Sequence, residues 1–306
     1  MSYKITSLAI AILLLVWQLM MWKKINNTMK FCFHILLIFS ISFLSSCAED
    51  DENLQYQTDG HKMVLFGNSF FRPYAQKFSA MALDAGFDNH NAVIISRGGE
   101  NGNPFNLWND STTAEHMEIK QALDEGNIDV LGMVAGLLQE NPTDGYRDWI
   151  EYALVNNPDI TVYLSIIPPD FPDDWDSIAT ESGYSSIQDA YDNFLNIIKD
   201  SLVNNLRVEF SANDIFSIPT GQATFTLYQL QKDSLLLDSI SYRGNRENSL
   251  FTDEKGHQGD IIINTGALMW LESIYSVDLD ENDYETGFNT DLHSIAQDIL
   301  DSYNQN

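Results

Sequence analysis

Cysteine is almost missing from this chain of 306 residues, in which it occurs only as Cys32 and Cys47. Beyond Cys47 there is no thiol that could form a disulfide, attack a substrate or bind zinc. The same stretch has no pair of histidines at metal-ligand spacing, and its glycine-rich segment at residues 98–102 lacks the lysine and the spacing of a phosphate-binding loop. We therefore predict an activity that needs no metal and no cofactor.

Basic residues are also scarce, with 16 Lys and Arg against 44 Asp and Glu and a formal net charge of −28. Four of the lysines, but none of the acidic residues, lie in the first 47 residues, which leaves 12 basic against 44 acidic residues and a formal charge of −32 for the rest. Nucleic acids and anionic membrane surfaces are bound through clustered Lys and Arg. We therefore expect no nucleic-acid partner.

The first 47 residues are typical of an export leader. Their two apolar runs, residues 8–22 and 31–44, are shorter than the roughly 20 residues that cross a bilayer comfortably. The second run follows Met29 and Lys30, so we predict Met29 as the true start. Residues 44–47 resemble the lipobox of bacterial lipoproteins, which implies cleavage before Cys47 and lipidation of that residue. The alternative is an ordinary signal peptide cleaved at a small residue.

An acidic run at residues 49–52 resembles the surface-export tag of some Gram-negative lipoproteins. Together with the lipobox, it implies a cell-envelope protein that is held in the outer membrane by its lipid anchor alone and is exposed at the cell surface. Residues 48–60 are then an acidic tether. Residues 61–306 are predicted to form one domain, because no repeat or low-complexity linker divides them.

Strand-like and helix-like segments alternate along this domain, which predicts an α/β fold. Apolar runs of the kind that a parallel sheet buries on both faces occur at residues 62–66, 92–96, 128–134, 160–167 and 214–218. Apolar residues recur at helical spacing over residues 74–85, 146–153 and 187–198, and we interpret these stripes as core faces. Residues 260–275 are apolar nearly all round and predict a deeply packed helix.

The tripeptide Gly67-Asn68-Ser69 directly follows the first predicted strand. Glycine permits the crowded backbone of a tight strand-to-helix turn, and Pro73 suits the start of the next helix. Ser69 would then lie at a helix N-terminus, whose free N–H groups can stabilise the negative charge that develops in acyl transfer. The pattern predicts that Ser69 is a nucleophile.

A serine nucleophile needs a base, normally histidine, and a carboxylate that orients the base. His257 lies in a polar loop before the predicted buried helix, with Asp253 and Glu254 a few residues upstream. We predict His257 as the base and prefer Asp253 as its partner, because its shorter side chain can reach back across a turn at residues 255–256. The remaining histidines of the domain are interpreted as solvated: His61, His90, His116 and His293.

The order of these residues resembles that of the SGNH, or GDSL-like, hydrolase family over nearly the whole domain, from about residue 62 to residue 275. Members begin with a strand ending in Gly-Asp-Ser or Gly-Asn-Ser, as at Ser69, and finish with an Asp and a His a few residues apart, as at His257. The resemblance implies a three-layer αβα, flavodoxin-like parallel sheet and a metal-independent serine esterase. It also implies an oxyanion hole that includes the N–H groups of Ser69 and Gly99, with Gly98 as the alternative to Gly99.

Two departures from the family pattern affect this site. The family places a further oxyanion donor, an asparagine, in a Gly-x-Asn after the third strand, where this chain has Leu138. We predict that Asn101 replaces it, with Gln139 and Asn141 as alternatives. In addition, the family aspartate stands three residues before its histidine, and this chain has Glu254 at that position. Both Asp253 and Glu254 therefore remain candidates for the carboxylate that orients His257.

The resemblance implies a small-molecule or carbohydrate ester as substrate, and the predicted location favours removal of O-acetyl groups from carbohydrates. The alternative is a catalytically degenerate surface lipoprotein that binds a glycan or another ligand, which Leu138 favours. A proline-rich loop at residues 168–175 follows the fourth predicted strand, at the edge where open α/β sheets bind ligands. Either Phe171 or Trp175 of this loop could line a substrate cleft, or each could anchor its own loop.

Overall fold

In the computed structural model we describe residues 59–136 and 139–304, which belong to one compact unit. The predicted leader, Cys47 and the predicted tether up to residue 58 lie outside the described residues, as do Leu137, Leu138 and residues 305–306. Within the described ranges, no helix has the length and the apolar character needed to cross a membrane.

Five parallel strands form the central sheet: β1 (Lys62–Gly67), β2 (Asn91–Ser96), β3 (Val130–Ala135), β4 (Thr161–Ile166) and β5 (Ile215–Ile218). Their spatial order is β2-β1-β3-β4-β5. From β1 the chain adds β2 on one side and then crosses back to add β3, β4 and β5 on the other side. Right-handed crossovers in these two directions put the connecting helices on opposite faces of the sheet. The predicted α/β fold, a three-layer αβα and flavodoxin-like arrangement, is confirmed, and each predicted strand lies within two residues of an observed one.

Helices fill the connections between the strands. They are α1 (Arg72–Asp84), α2 (Pro104–Asn109), α3 (Ala114–Asp124), α4 (Tyr146–Leu154), α5 (Trp175–Glu181), α6 (Ile187–Ile198), α7 (Asn204–Glu209), α8 (Gln222–Lys232), α9 (Asp260–Tyr275) and α10 (Leu292–Asn304). A π-helical turn, Lys199–Val203, joins α6 to α7. Two short strands, β6 (Ser241–Arg243) and β7 (Ser249–Phe251), pair with each other outside the main sheet.

The predicted burial of the last long apolar helix is confirmed. Of the 16 residues of α9, 12 are buried, because α1, α8, α10 and β7 surround it. Neighbours on all sides explain why its sequence has no polar face.

The register of the sheet brings several loops to the same edge. Gly67 at the end of β1 pairs with Ser96 at the end of β2, so the loops that follow these strands start at one level. Strand β1 also lies where the strand order reverses, and open α/β sheets form a ligand-binding crevice at such a point. A site is therefore expected at the carboxyl end of β1.

Candidate active site

Ser69 lies in a turn between β1 and α1 and is half-buried. The neighbouring Asn68 fixes the turn, because its Oδ1 accepts hydrogen bonds from the N–H groups of Phe70 (3.0 Å) and Phe71 (3.3 Å). The Asn68 carbonyl accepts another from the Arg72 N–H at 3.1 Å. The asparagine side chain thus acts as a local acceptor that shapes the turn and holds Ser69 at the edge of the sheet.

His257 lies in the loop between β7 and α9. Asp253 Oδ1 closes this loop by accepting hydrogen bonds from the N–H groups of Gly256 (3.0 Å) and His257 (3.2 Å). The Asp253 side chain therefore reaches back across the turn at residues 255–256. Glu254, the alternative carboxylate, is exposed.

Ser69, His257 and Asp253 form one chain of hydrogen bonds. His257 Nε2 lies 2.8 Å from Ser69 Oγ, and His257 Nδ1 lies 2.5 Å from Asp253 Oδ2. The Phe70 ring stacks on the imidazole with 4.8 Å between the ring centroids. In this order, an imidazole can take the serine proton while the carboxylate holds the ring and stabilises the imidazolium that forms.

The same hydrogen bonds control the charge of Asp253. Burial by itself raises the pKa of this carboxyl group, but the hydrogen bonds from His257 and Gly256 outweigh burial and lower the pKa below its ordinary value. Asp253 is therefore a carboxylate throughout the pH range in which histidines ordinarily titrate.

Arg243 of β6 supports the histidine loop. Its Nε donates to the Asp253 carbonyl at 3.1 Å, and its guanidinium also donates to Asp173 at 2.8 Å. Tyr242 donates its hydroxyl to the other Asp173 oxygen at 2.7 Å. The hydrogen bond from Arg243 is the largest cause of the lowered pKa of Asp173. One guanidinium thus connects the proline-rich loop to the loop that carries His257.

Gly99 lines a cavity together with Asn68 and Phe70, the two neighbours of Ser69, whereas Gly98 does not. Its φ of +60° lies in the left-handed region that favours glycine. In the part of the chain that the structure describes, neither the Ser69 N–H nor the Gly99 N–H has a hydrogen-bond acceptor. Two free donors are therefore present where the sequence predicts the oxyanion hole.

Gly102 lets this glycine-rich loop approach the serine turn. A Cβ atom at residue 102 would lie 2.4 Å from the Arg97 carbonyl oxygen and 2.7 Å from Asn68 Cα. Contacts this short with backbone atoms exclude any side chain unless the loop moves. The glycine therefore determines how close the loop that carries Gly99 lies to Ser69.

Asn103, rather than the predicted Asn101, lines the cavity. Asn101 is exposed and lies outside the cavity wall, as do the alternatives Gln139 and Asn141. Asn103 is only 6% exposed and lies on the wall. It is the N-cap residue of α2, but its side chain makes no capping hydrogen bond. Because no capping bond engages it, this amide is available to a ligand in the cavity.

The sequence does not single out Asn103, and the reason is physical. An asparagine directly before a proline and a helical segment is typical of a helix cap, and this function accounts for it without a ligand. Only the missing capping bond in the folded chain indicates that the amide is free.

The cavity has a volume of about 620 Å³ and opens at the carboxyl edge of the sheet. Of the two aromatic residues predicted for a cleft wall, Phe171 lines the cavity and is 48% exposed. Trp175 is buried and packs on Phe225 and Phe251, so it anchors its own loop. Phe171 therefore lines the cleft, as one of the two alternatives predicts, and Trp175 anchors its loop, as the other predicts.

Two histidines interpreted as solvated are buried, and that interpretation is wrong for them. His90 is 7% exposed and lies between Ser79 Oγ at 2.8 Å and Tyr275 Oη at 2.7 Å. His116 is 4% exposed, with Nδ1 2.8 Å from the Leu107 carbonyl oxygen. Their hydrogen-bond partners lie 9 to 185 residues away, so the polar residues next to them in the sequence do not indicate their burial.

Comparison of the chain with protein-family models, curated proteins and solved structures finds no match. The resemblance to the SGNH hydrolases therefore depends on the motif residues alone and stays a prediction. Within residues 59–136 and 139–304, no group of three or more His, Cys, Asp or Glu side chains could hold a metal ion. The site is defined by a serine, histidine and aspartate chain at the carboxyl edge of a parallel sheet.

Proposed function

We propose that this protein is a metal-independent serine ester hydrolase of the SGNH type. The observation that carries the proposal is the hydrogen-bonded chain of Ser69, His257 and Asp253. Two further features support it. The N–H groups of Ser69 and Gly99 have no acceptor among the described residues, and the cavity lined by Gly99 and by both neighbours of Ser69 is large enough for a substrate.

The reaction follows from the geometry. Ser69 Oγ attacks the ester carbonyl carbon while His257 Nε2 takes the serine proton. The tetrahedral intermediate then collapses as its bond to the alcohol oxygen breaks, and His257 returns the proton to that oxygen. Water next attacks the acyl group on Ser69 with His257 again as base, which releases the acid and restores the enzyme.

The negative charge on the carbonyl oxygen needs donors, and we assign three. These are the N–H groups of Ser69 and Gly99 and the side-chain amide of Asn103. Asn103 takes the role predicted for Asn101, because it lies on the cavity wall with a free amide while Asn101 is exposed. Donors fixed by the fold before the substrate arrives are effective because they need no reorganisation during the reaction.

The location in the cell envelope and the lipid on Cys47 stay predictions from the leader. The second candidate function, glycan binding by a degenerate member of the family, depends on Leu138, which lies outside the described residues. The free amide of Asn103 favours the enzyme, because it offers the donor that a leucine cannot supply.

The proposal is tested with p-nitrophenyl butyrate and with a fluorophosphonate that reacts with activated serines. Ser69→Ala and His257→Ala should each lower kcat/KM by at least about 10³-fold, because either change removes proton transfer from the nucleophile. Intact-mass and peptide analysis should place one phosphonate adduct on Ser69 of the unmodified chain. Ser211→Ala is the matched control, since Ser211 is exposed and outside the cavity. An unlabelled Ser69, or full activity in Ser69→Ala, would refute the proposal.

A further inference from the structure

The cavity beside Ser69 is lined by both polar and apolar residues. Asn68, Gly99 and Asn103 line the part next to Ser69. Six apolar side chains of the loop after β4 and of helices α5 and α6 also line the cavity, and we call the part that they form its apolar end: Ile167, Phe171, Ile178, Ile187, Ala190 and Phe194. A bound ester whose carbonyl group lies at Ser69 can therefore place an attached apolar group against these side chains.

The charges at the cavity do not select an anionic group. Lys255 is the only cationic side chain among the described residues that line it, and its Nζ lies 3.2 Å from Asp170 Oδ2. Glu100 lines the cavity as well and would repel a carboxylate. A carboxylate on the bound group is therefore disfavoured.

Phe171 has a strained backbone that holds it at the cavity. Its φ is +55°, a left-handed conformation that is costly for a bulky residue. Hydrogen bonds stabilise it, because the Phe171 N–H donates to the Lys255 carbonyl and the Asp174 N–H donates to the Phe171 carbonyl, both at 2.9 Å. Phe171 is 48% exposed and Ile178 is 37% exposed. Large apolar side chains left open to water around a cavity indicate an apolar ligand.

The cavity is much larger than an acetyl group. With about 30 Å³ for each heavy atom, as in liquid water, an acetyl group would take up on the order of 90 Å³. The cavity holds about 620 Å³. An acetyl group by itself would leave most of the apolar wall in contact with water and would gain little free energy from that wall.

We propose that the apolar end of this cavity is the acyl-binding site and that the enzyme prefers esters of uncharged apolar acids that are longer than acetic acid. This inference rests on the proposed esterase function. It differs from the predicted removal of O-acetyl groups, because a small acyl group leaves the apolar wall uncovered. The alcohol part then extends toward solvent past His257, which protonates it.

The test measures kcat/KM of the full chain for p-nitrophenyl acetate, butyrate, hexanoate and octanoate. Each buried methylene should raise kcat/KM by about fourfold, so hexanoate should exceed acetate by at least about tenfold even with partial burial. A second series keeps the acetyl group and lengthens the alcohol, as in butyl, hexyl and octyl acetate. A flat or falling acyl series would overturn the inference, and so would a rise confined to the alcohol series.

Two variants in which phenylalanine replaces an alanine test where the acyl group binds. Ala190→Phe fills the apolar end and should lower the ratio of kcat/KM for octanoate to that for acetate by at least about tenfold, because the chain loses its buried methylenes. Ala114→Phe places the same ring on an exposed position of α3, away from the cavity, and should leave the ratio unchanged within about twofold. Equal ratios in both variants would place the acyl group elsewhere.

A binding measurement separates failure of this inference from failure of the esterase proposal. Calorimetric titration of Ser69→Ala with p-nitrophenyl octanoate and with p-nitrophenyl acetate does not depend on turnover. Tighter binding of the octanoate supports the acyl site even if the unmodified chain hydrolyses neither ester, in which case only the esterase proposal fails. Equal binding of both esters overturns the acyl site whatever the activity.

Discussion

Asn101 and Asn103, which both lie between β2 and α2, differ in what surrounds their side chains. Asn103 is buried on the cavity wall without a capping bond, while Asn101 is exposed. If Asn103 donates to the oxyanion, Asn103→Ala should lower kcat by about 10²–10³-fold with a smaller effect on KM, because the bond strengthens as charge develops.

The matched control is Asn101→Ala, which should stay within about twofold of the unmodified enzyme. Steady-state kinetics on one ester are sufficient, provided that the melting temperatures of the variants agree. Equal losses in both variants, or a loss confined to Asn101→Ala, would contradict the assignment.

The carboxylate that orients His257 can be tested in the same way. Asp253→Asn keeps an oxygen for the Gly256 and His257 N–H groups but favours the wrong imidazole tautomer, so kcat should fall by about 10³–10⁴-fold with little change in stability. Glu254→Gln should leave kcat unchanged, because Glu254 is exposed. A large loss in Glu254→Gln alone would show that the other carboxylate of the loop is the partner.

At the scale of elements, the site depends on how closely two loops approach each other. Gly102→Ala introduces a Cβ that would lie 2.4 Å from the Arg97 carbonyl oxygen. We expect a loss of about 1–3 kcal/mol in the free energy of unfolding, as for other overpacked positions. We also expect a lower kcat, because the loop that carries Gly99 must move away from Ser69.

Gly98→Ala is the control for this change. Residue 98 has φ −70° and ψ 142°, and a Cβ there would meet nothing within 4 Å. Chemical denaturation and kinetics should both stay close to the unmodified protein. If both glycine variants behave alike, the close approach at residue 102 does not control the site.

The short pair β6 and β7 shows how a minor element can support the site. The sequence predicts no strands at these positions, because three residues are too few to show an alternating pattern. Yet β6 carries Arg243, whose guanidinium connects Asp173 with the backbone of the histidine loop.

At the scale of the whole molecule, the buried His90 makes the fold sensitive to acid. Burial, with a smaller contribution from the neighbouring His61, lowers the pKa of His90 to about 4. A histidine in an unfolded chain binds its proton near pH 6.5, roughly 2 to 3 pH units higher. Between these values the unfolded state binds more protons, so the free energy of unfolding falls as the pH falls.

His90→Gln tests this dependence, since glutamine can bond to Ser79 and Tyr275 but does not take up a proton. The melting temperature of the unmodified protein should fall more steeply than that of the variant when the pH is lowered from about 7.5 to about 5. Parallel curves would show that His90 does not contribute to the acid sensitivity.

The fold and part of the site could be predicted because their signals are local. Strands buried on both faces are continuous apolar runs, so all five strands of the sheet could be predicted without knowing which strands lie beside them. Ser69 and His257 lie in short polar segments that directly precede predicted helices, and this position marks them as candidates for a functional site. The structure places their side chains at hydrogen-bond distance, and their catalytic role stays a prediction.

The sequence by itself therefore determined the α/β class, the order of the strands along the chain and the choice of Ser69, His257 and Asp253 as candidates. Only the tertiary structure decided which asparagine lies at the cavity, that His90 and His116 are buried, and that α5, α6 and the loop after β4 build an apolar wall beside Ser69. The physical reason is the range of the interactions. Apolar periodicity acts within an element, whereas burial and cavities arise between segments that are distant in the chain and meet only on folding.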